Sequence, residues 1–194
     1  MTLIQKITGI LVLSVIFMAC GSSEQPEQIH PHDAFFNNLT SLCGQMFSGG
    51  STYPENDAHP LVGTELRTHL SLCEDDVIRI DLYRDTDYWH GTWVLEKREE
   101  GLHLFHDHLG DHRTEEYLED NNAYHGYGGF ANNQGSALRQ YFPADEVTAE
   151  IIPEAATNVW MMDIDLDNQI FTYYLERHSE PRFRAVVDLS NLVN

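Results

Sequence analysis

Positive charge is scarce in this chain: 11 Lys and Arg stand against 31 Asp and Glu in 194 residues, a formal net charge of −20. Such a surface repels phosphate, which excludes nucleic acid as a partner and removes any electrostatic pull towards anionic headgroups. Cysteine is equally sparse, with 3 in the chain, too few and too dispersed for a Cys-rich zinc site. The apolar run from Ile10 to Phe17 is too short to span a bilayer. Signatures of covalent catalysis are missing as well. Ser136 in Gly135-Ser136-Ala137 lacks the glycine two residues on that a nucleophile elbow needs, Ser48 and Ser51 sit among glycines, and no phosphate-binding glycine loop occurs.

What is present begins with the first twenty residues. Lys6 precedes the apolar run, and Met18-Ala19 lead into Cys20, the pattern of a cleaved secretory signal. It resembles bacterial lipoprotein signals, although Phe17 stands where leucine is usual. The resemblance implies cleavage before Cys20 and lipid, palmitate included, on its sulfur. Gly21 rather than Asp follows Cys20, so retention at the inner membrane is not indicated and the outer membrane is the expected address. Removing residues 1–19 takes away one charge, Lys6, and leaves 175 of the 194 residues, enough for one domain with a real core. Residues 20–32 are polar and rich in Ser, Gln, Glu and Pro, which suits a flexible tether. Residues 33–194 are then a single domain.

With Cys20 assigned to lipid, Cys43 and Cys73 remain as a pair in a compartment that permits disulfides. A disulfide is the expectation; two buried free thiols and a Cys/His metal site are the other readings. Cys43 lies in a stretch whose apolar residues Phe35, Phe36, Leu39, Leu42, Cys43, Met46 and Phe47 recur at helical spacing. Asp33 can cap that helix and Gly49-Gly50 can stop it. The bond would tie the helix to the segment holding Cys73.

From Gly63 onward the pattern changes to short runs rich in β-branched and aromatic residues, parted by Asp, Asn and Gly. Strands are expected at 65–73, 77–84, 92–98, 102–108, 125–130, 137–142, 159–164, 170–176 and 182–189. Alternation supports several: Ile78, Ile80 and Leu82 share one face, as do Trp93 and Leu95, Trp160, Met162 and Ile164, and Phe183, Ala185, Val187 and Leu189. Glu99-Glu100-Gly101 and Asp165 to Asn168 read as hairpin turns, and Pro143 can open a short helix through Ile152. The expected fold is mainly β, an antiparallel meander closed as a calycin-like barrel or a sandwich, with the N-terminal helix packed on it. Gly91-Thr92-Trp93 resembles the Gly-x-Trp of lipocalins, but there the motif belongs to the first strand and here at least two strands precede it.

The densest polar cluster is His103, His106, Asp107, His108, Asp111 and His112, with His125 further on. On a strand, His106 and His108 share the face of Leu102 and Leu104, and His112 can fold back onto them. Two imidazoles two residues apart plus a third from a loop suit Zn²⁺ or a similar divalent ion, with Asp111 as a ligand or orienting a histidine. The plain alternative is a polar strand end whose histidines bond local carboxylates. Tyr127, Gly128 and Gly129 add an aromatic and glycine patch beside them. Arg139, Arg177, Arg182 and Arg184 stand out because cations are scarce: two of them facing a cavity would grip a carboxylate, while pairing with surface acids is the ordinary use. Asp163 to Asn168 resembles the start of a calcium loop but lacks the required glycine and glutamate, having Asn168 and Tyr174 there, so a hairpin turn is expected.

Taken in order, several short motifs carry a wider resemblance: Cys43-Gly44-Gln45-Met46-Phe47-Ser48-Gly49, Thr92-Trp93, His106-Asp107-His108, Tyr127-Gly128-Gly129, Arg139 to Asp145, Asn158-Val159-Trp160, and Arg182-Phe183-Arg184 through Asp188-Leu189. The chain resembles a family of secreted proteins and lipoproteins of Gram-negative bacteria without an established activity. That resemblance implies class and location but no mechanism. Leu109-Gly110-Asp111-His112 and the acidic stretch through Asn122 depart from it, which leaves His112 without support as a shared ligand.

Three functional readings follow. The first is a lipid-anchored binding module for a small ligand or an envelope protein, with His106, His108, Tyr127, Gly128 and Arg139 as its site. The second is a metal-dependent hydrolase in which His106, His108, His112 and Asp111 hold the ion and Asp107 or Asp111 acts as base. The third is a purely structural envelope lipoprotein. The missing nucleophile places binding ahead of catalysis.

Overall fold

The computed structural model describes residues 29–54, 61–85, 87–110 and 126–193. Cys20, Asp111, His112 and His125 lie outside them. The chain runs through α1 (Pro31–Thr40), β1 (Met46–Tyr53), β2 (Glu65–Cys73), β3 (Val77–Arg84), β4 (Tyr88–Arg98), β5 (Gly101–Asp107), β6 (Tyr127–Phe130) and β7 (Arg139–Pro143). It continues through α2 (Glu146–Ile151), a one-turn 3-10 helix (Pro153–Ala155), β8 (Asn158–Asp165), β9 (Ile170–Arg177) and β10 (Glu180–Leu192). All ten strands form one sheet in the order β6-β5-β4-β3-β2-β1-β10-β9-β8-β7. Each pairing is antiparallel, so once β10 meets β1 the meander has curled into a nearly closed barrel.

The gap in that barrel lies between β6 and β7. These two edges sit side by side without a ladder. The Asn132 N–H donates to the Tyr141 carbonyl at 2.9 Å, and the Asp145 N–H donates to the Gly128 carbonyl at 3.0 Å. Thr148, on α2, fills the space between them. Its hydroxyl accepts from the Gly128 N–H at 2.7 Å and donates to the Gly128 carbonyl at 2.8 Å. Asp145, rather than Pro143, opens α2, its carboxylate accepting from the Thr148 N–H at 2.7 Å. Pro143 instead ends β7, at the edge of the sheet where its missing donor costs nothing.

Period-two alternation explains the interior. Ile78, Ile80 and Leu82, Trp93 and Leu95, Trp160, Met162 and Ile164, and Phe183, Ala185 and Val187 are all buried in one cluster. The Asp165 to Asn168 segment is the β8–β9 hairpin turn, with the Asp165 carboxylate accepting from the Asn168 N–H at 3.0 Å.

The N-terminal region departs from expectation. α1 is capped by His30, whose ring accepts from the His32 N–H at 3.3 Å, with Pro31 opening the helix; Asp33 sits in the first turn. The helix stops at Thr40, so Leu42, Cys43, Met46 and Phe47 are not helical. Gly44 supplies the stop: at φ +75° it redirects the chain, its N–H donating to the Leu70 carbonyl at 2.8 Å, while the Leu70 N–H donates to Gln45 at 3.1 Å. Pairing with β2 then captures Met46 onward as β1, a tenth strand. Gly49 lies within β1 because a Cβ there would collide with the Val186 carbonyl of β10. Close strand approach, and not a helix stop, is the reason for that glycine.

α1 buries Phe35, Phe36 and Leu39, at about 1.5–3 kcal/mol for each side chain removed from water. It touches β3, β5 and β7, and Lys97 lies 4.3 Å from the Phe36 ring centroid. The helix therefore closes the barrel at the end where β4 turns into β5. His106 is five residues along β5 from Gly101, roughly 17 Å at strand rise, and so belongs to the opposite end.

The expected disulfide is present. Cys43, in the turn after α1, is bonded to Cys73 at the end of β2, closing a separation of 30 residues. Replacing both cysteines by alanine is expected to lower the unfolding free energy by about 3–4 kcal/mol, the chain-entropy value for such a loop. Urea denaturation of the two proteins measures this, and an unchanged midpoint would show that the staple contributes nothing.

Candidate functional site

β5 sorts its polar residues by alternation. Leu102, Leu104 and His106 face the interior, and His108, just past the strand, stays on that side. His103, Phe105 and Asp107 face the other way. Register places Trp93 of β4 and Tyr127 of β6 on either side of His106, and direct antiparallel partners share a face. The three side chains therefore meet inside the barrel, where β8 and β9 bring Trp160 and Tyr173.

Together these residues line a cavity of about 210 Å³ at the end opposite α1. Its walls are aromatic. Trp93 stacks on Tyr173 with ring centroids 4.3 Å apart, His106 stacks on Tyr127 at 4.6 Å, and Trp160 leans on His106 at 4.9 Å.

The polar groups form two short chains. His106 Nδ1 lies 3.2 Å from the Tyr127 carbonyl and its Nε2 lies 2.9 Å from the Tyr173 hydroxyl. A carbonyl only accepts, so Nδ1 carries the proton and the Tyr173 hydroxyl donates to Nε2. His108 repeats the pattern, its Nδ1–H donating to the His90 carbonyl at 3.2 Å and its Nε2 accepting from the Tyr127 hydroxyl at 2.8 Å. Both imidazoles are thus neutral, oriented and hydrogen-bonded at each nitrogen.

Burial sets the protonation. Loss of solvent pushes the His106 pKa down to about 3, helped by repulsion from His108 and opposed by the bond to Tyr127. His108 is also lowered by burial, against the His90 carbonyl and the Asp107 charge. The Tyr127 and Tyr173 hydroxyls are pushed up by the same loss of solvent. A neutral imidazole so far from its usual range is a poor general base at pH 7. This arrangement is built to present polar edges and aromatic faces.

Of the residues expected to bind a ligand, His106, His108 and Tyr127 come together here, and Gly128 and Arg139 do not. A Cβ at Gly128 would strike the Leu104 carbonyl, so the glycine serves strand contact and the seam. Arg139 projects elsewhere and pairs with Asp163 at 2.6 Å. Asp107 is fully buried on the outer side, paired with Arg79 at 3.2 Å and accepting from the Leu109 and Gly110 N–H groups at 3.0 Å. His103 packs on Phe130 and lies 3.3 Å from Asp145. Asp111 and His112, the other expected metal ligands, lie outside the described residues. Among the described residues, no three of His, Cys, Asp or Glu are grouped to hold a metal ion.

Arg177, one of the four scarce cations that could grip a carboxylate, does line the cavity, and Asn158, which carried no expectation, stands beside it. Asn158 precedes Trp160, Met162 and Ile164 on their inward face, and Arg177 follows Tyr173 and Leu175 on theirs. For Asn158 the signal is a polar residue at an inward position of a strand end. The Arg177 Nε–H donates to the Asn158 side-chain carbonyl at 2.8 Å.

Compared with protein-family models, curated proteins and solved structures, the chain matches none.

His106 fixes a pH dependence. Its folded pKa lies below the ordinary 6.5, so its contribution to stability is complete above about 6.5 and is lost progressively as pH falls towards 3. Between pH 7 and pH 5 this one group is expected to remove about 2 kcal/mol. Urea unfolding at both pH values, repeated on His106→Gln, measures it: the variant should lose that share of the pH dependence. An equal slope in both proteins would mean that His106 is not held neutral.

Proposed function

We propose that this protein is a binding domain of the bacterial cell envelope, tethered by lipid on Cys20, that holds a small ring-bearing ligand inside its barrel. The observation that carries this reading is the convergence of His106, His108 and Tyr127 with Trp93 and Trp160 on one cavity. A cavity of about 150 Å³ admits benzene. One of about 210 Å³ therefore suits a single ring with one or two substituents, and is too small for a fatty acid or a haem. Aromatic walls favour a flat body, and the tyrosine hydroxyl oxygens, which already donate to the imidazoles, can accept a hydrogen bond from a polar substituent.

The ligand part is tested with uncharged rings: phenol, indole and cyclohexanol titrated into the purified protein. Trp93 and Trp160 line the cavity, so their fluorescence reports occupancy. Saturable quenching and a raised melting temperature are expected for at least one compound. Both should vanish in Leu175→Trp, which places a large ring at a half-buried lining position. If no compound shifts either signal, the domain does not hold such ligands.

The tether has its own support in the Lys6 to Cys20 pattern. Among the described residues, no helix is long and apolar enough to cross a membrane. Cys20→Ser is expected to abolish labelling by a palmitate analogue and to release the protein from the membrane fraction. Labelling that survives the change would remove Cys20 as the attachment point.

A further inference from the structure

We infer that the cavity is a site for a small cyclic monocarboxylate, whose anionic end is held by Arg177 beside Asn158 while its ring lies among Trp93, Trp160 and Tyr173. This rests on the binding reading above and adds the charge of the ligand. Arg177 is the only Lys, Arg, Asp or Glu among the described residues that line the cavity. That is a marked reversal in a chain with 31 acidic residues and 11 basic ones.

Of the nine Lys and Arg side chains among the described residues, Arg84, Arg177, Arg182 and Arg184 form no ion pair with another described residue, and of these four Arg177 alone lines the cavity. Arg67, Arg79, Lys97, Arg98 and Arg139 each pair with a carboxylate. Arg177, half-buried, forms no ion pair among the described residues and bonds instead to the neutral amide of Asn158 through Nε. That bond fixes the plane of the guanidinium and leaves its two terminal amino groups for an acceptor. A guanidinium fork matches a carboxylate in bidentate geometry, and a desolvated setting strengthens the pair. Asn158 is itself buried, so the pair is held as a unit at the start of β8 and the end of β9.

The opposite end of the cavity completes the specificity. His106, His108, Tyr127 and Tyr173 are already satisfied among themselves. They offer neutral edges and aromatic faces and no second charge. A ligand with one anionic end and an uncharged ring fits this division, whereas a dication, a sugar with many hydroxyls or a second anionic group does not.

Benzoate and its neutral counterpart benzamide test the inference on the full chain, by calorimetric titration at pH 7 with the tryptophan fluorescence as a second readout. Benzoate is expected to bind at least about tenfold more tightly than benzamide. Arg177→Gln should weaken benzoate by about tenfold or more and leave benzamide unchanged, which also shows that the variant cavity is intact. Arg184→Gln, which removes a cation from β10 outside the cavity, should change neither affinity. Equal affinity of the two compounds, or a benzoate affinity that Arg177→Gln leaves alone or that Arg184→Gln weakens equally, overturns the anion assignment while the binding reading stands. If neither compound binds, and the uncharged rings also fail, the binding reading falls with it.

Discussion

A sheet edge turned into a protein must still satisfy its N–H and C=O groups, and the seam between β6 and β7 is where this barrel meets that demand. A strand would bring a whole ladder. Here one hydroxyl, on Thr148, serves both backbone groups of Gly128, and Asp145 holds Thr148 in place from the start of α2. Gly128 must be glycine because Leu104 approaches where a Cβ would stand. With Gly128 clamped from two sides, Tyr127 is fixed one residue away. Its carbonyl receives His106 and its hydroxyl serves His108. The cavity thus inherits its geometry from the repair of a sheet edge, and a loosened seam would disturb both histidines at once.

Around His106 and His108 the interior holds its polar groups as a mutually satisfied set. An unsatisfied buried donor or acceptor costs about 1–3 kcal/mol, so two histidines and two tyrosines placed among aromatic rings are tolerable only as a matched set. Each tyrosine hydroxyl donates to an imidazole Nε2, and each imidazole donates its one N–H to a carbonyl. On β5 the same alternation turns the carboxylate away from the cavity. Asp107, next to His106 in sequence, spends its charge on Arg79 and on the backbone N–H groups of Leu109 and Gly110. A carboxylate facing inward would have favoured imidazolium. With Asp107 turned away, burial decides, and the histidines stay neutral.

Much of the β body was legible from the chain alone, because strands buried on one face write their alternation plainly. Two of the expected strands, 65–73 and 77–84, coincide with β2 and β3. The region before Gly63 was not legible in the same way. Phe35, Phe36 and Leu39 are helical, but Leu42, Cys43, Met46 and Phe47 extend the same spacing into a turn and a strand. A short apolar run does not distinguish the two periods. The decisive events there are long-range: Gly44 meets Leu70, and Gly49 meets Val186. The site divided along similar lines. His106, His108 and Tyr127 could be brought together from β5 alternation and nearness in sequence, whereas Arg177 and Arg139 are indistinguishable as isolated cations. Only the barrel's closure shows that one ends at the cavity and the other at Asp163.

The acidity of the chain and the cation in its cavity act over different distances. A net charge of −20 opposes the approach of any anion from afar. At physiological ionic strength, however, the Debye length is about 8 Å, and exposed charges beyond it are largely screened. Within the cavity the separations are shorter than that length, so the nearest groups dominate: one guanidinium, one amide and a set of aromatic rings. Global charge therefore governs how often an anion arrives, and local geometry governs whether it stays. On the proposal that Arg177 takes a carboxylate, the acidic surface disfavours polyanions on approach, and the arginine disfavours neutral rings on residence. On that proposal a small monoanion is opposed less on approach than a polyanion and held more firmly than a neutral ring.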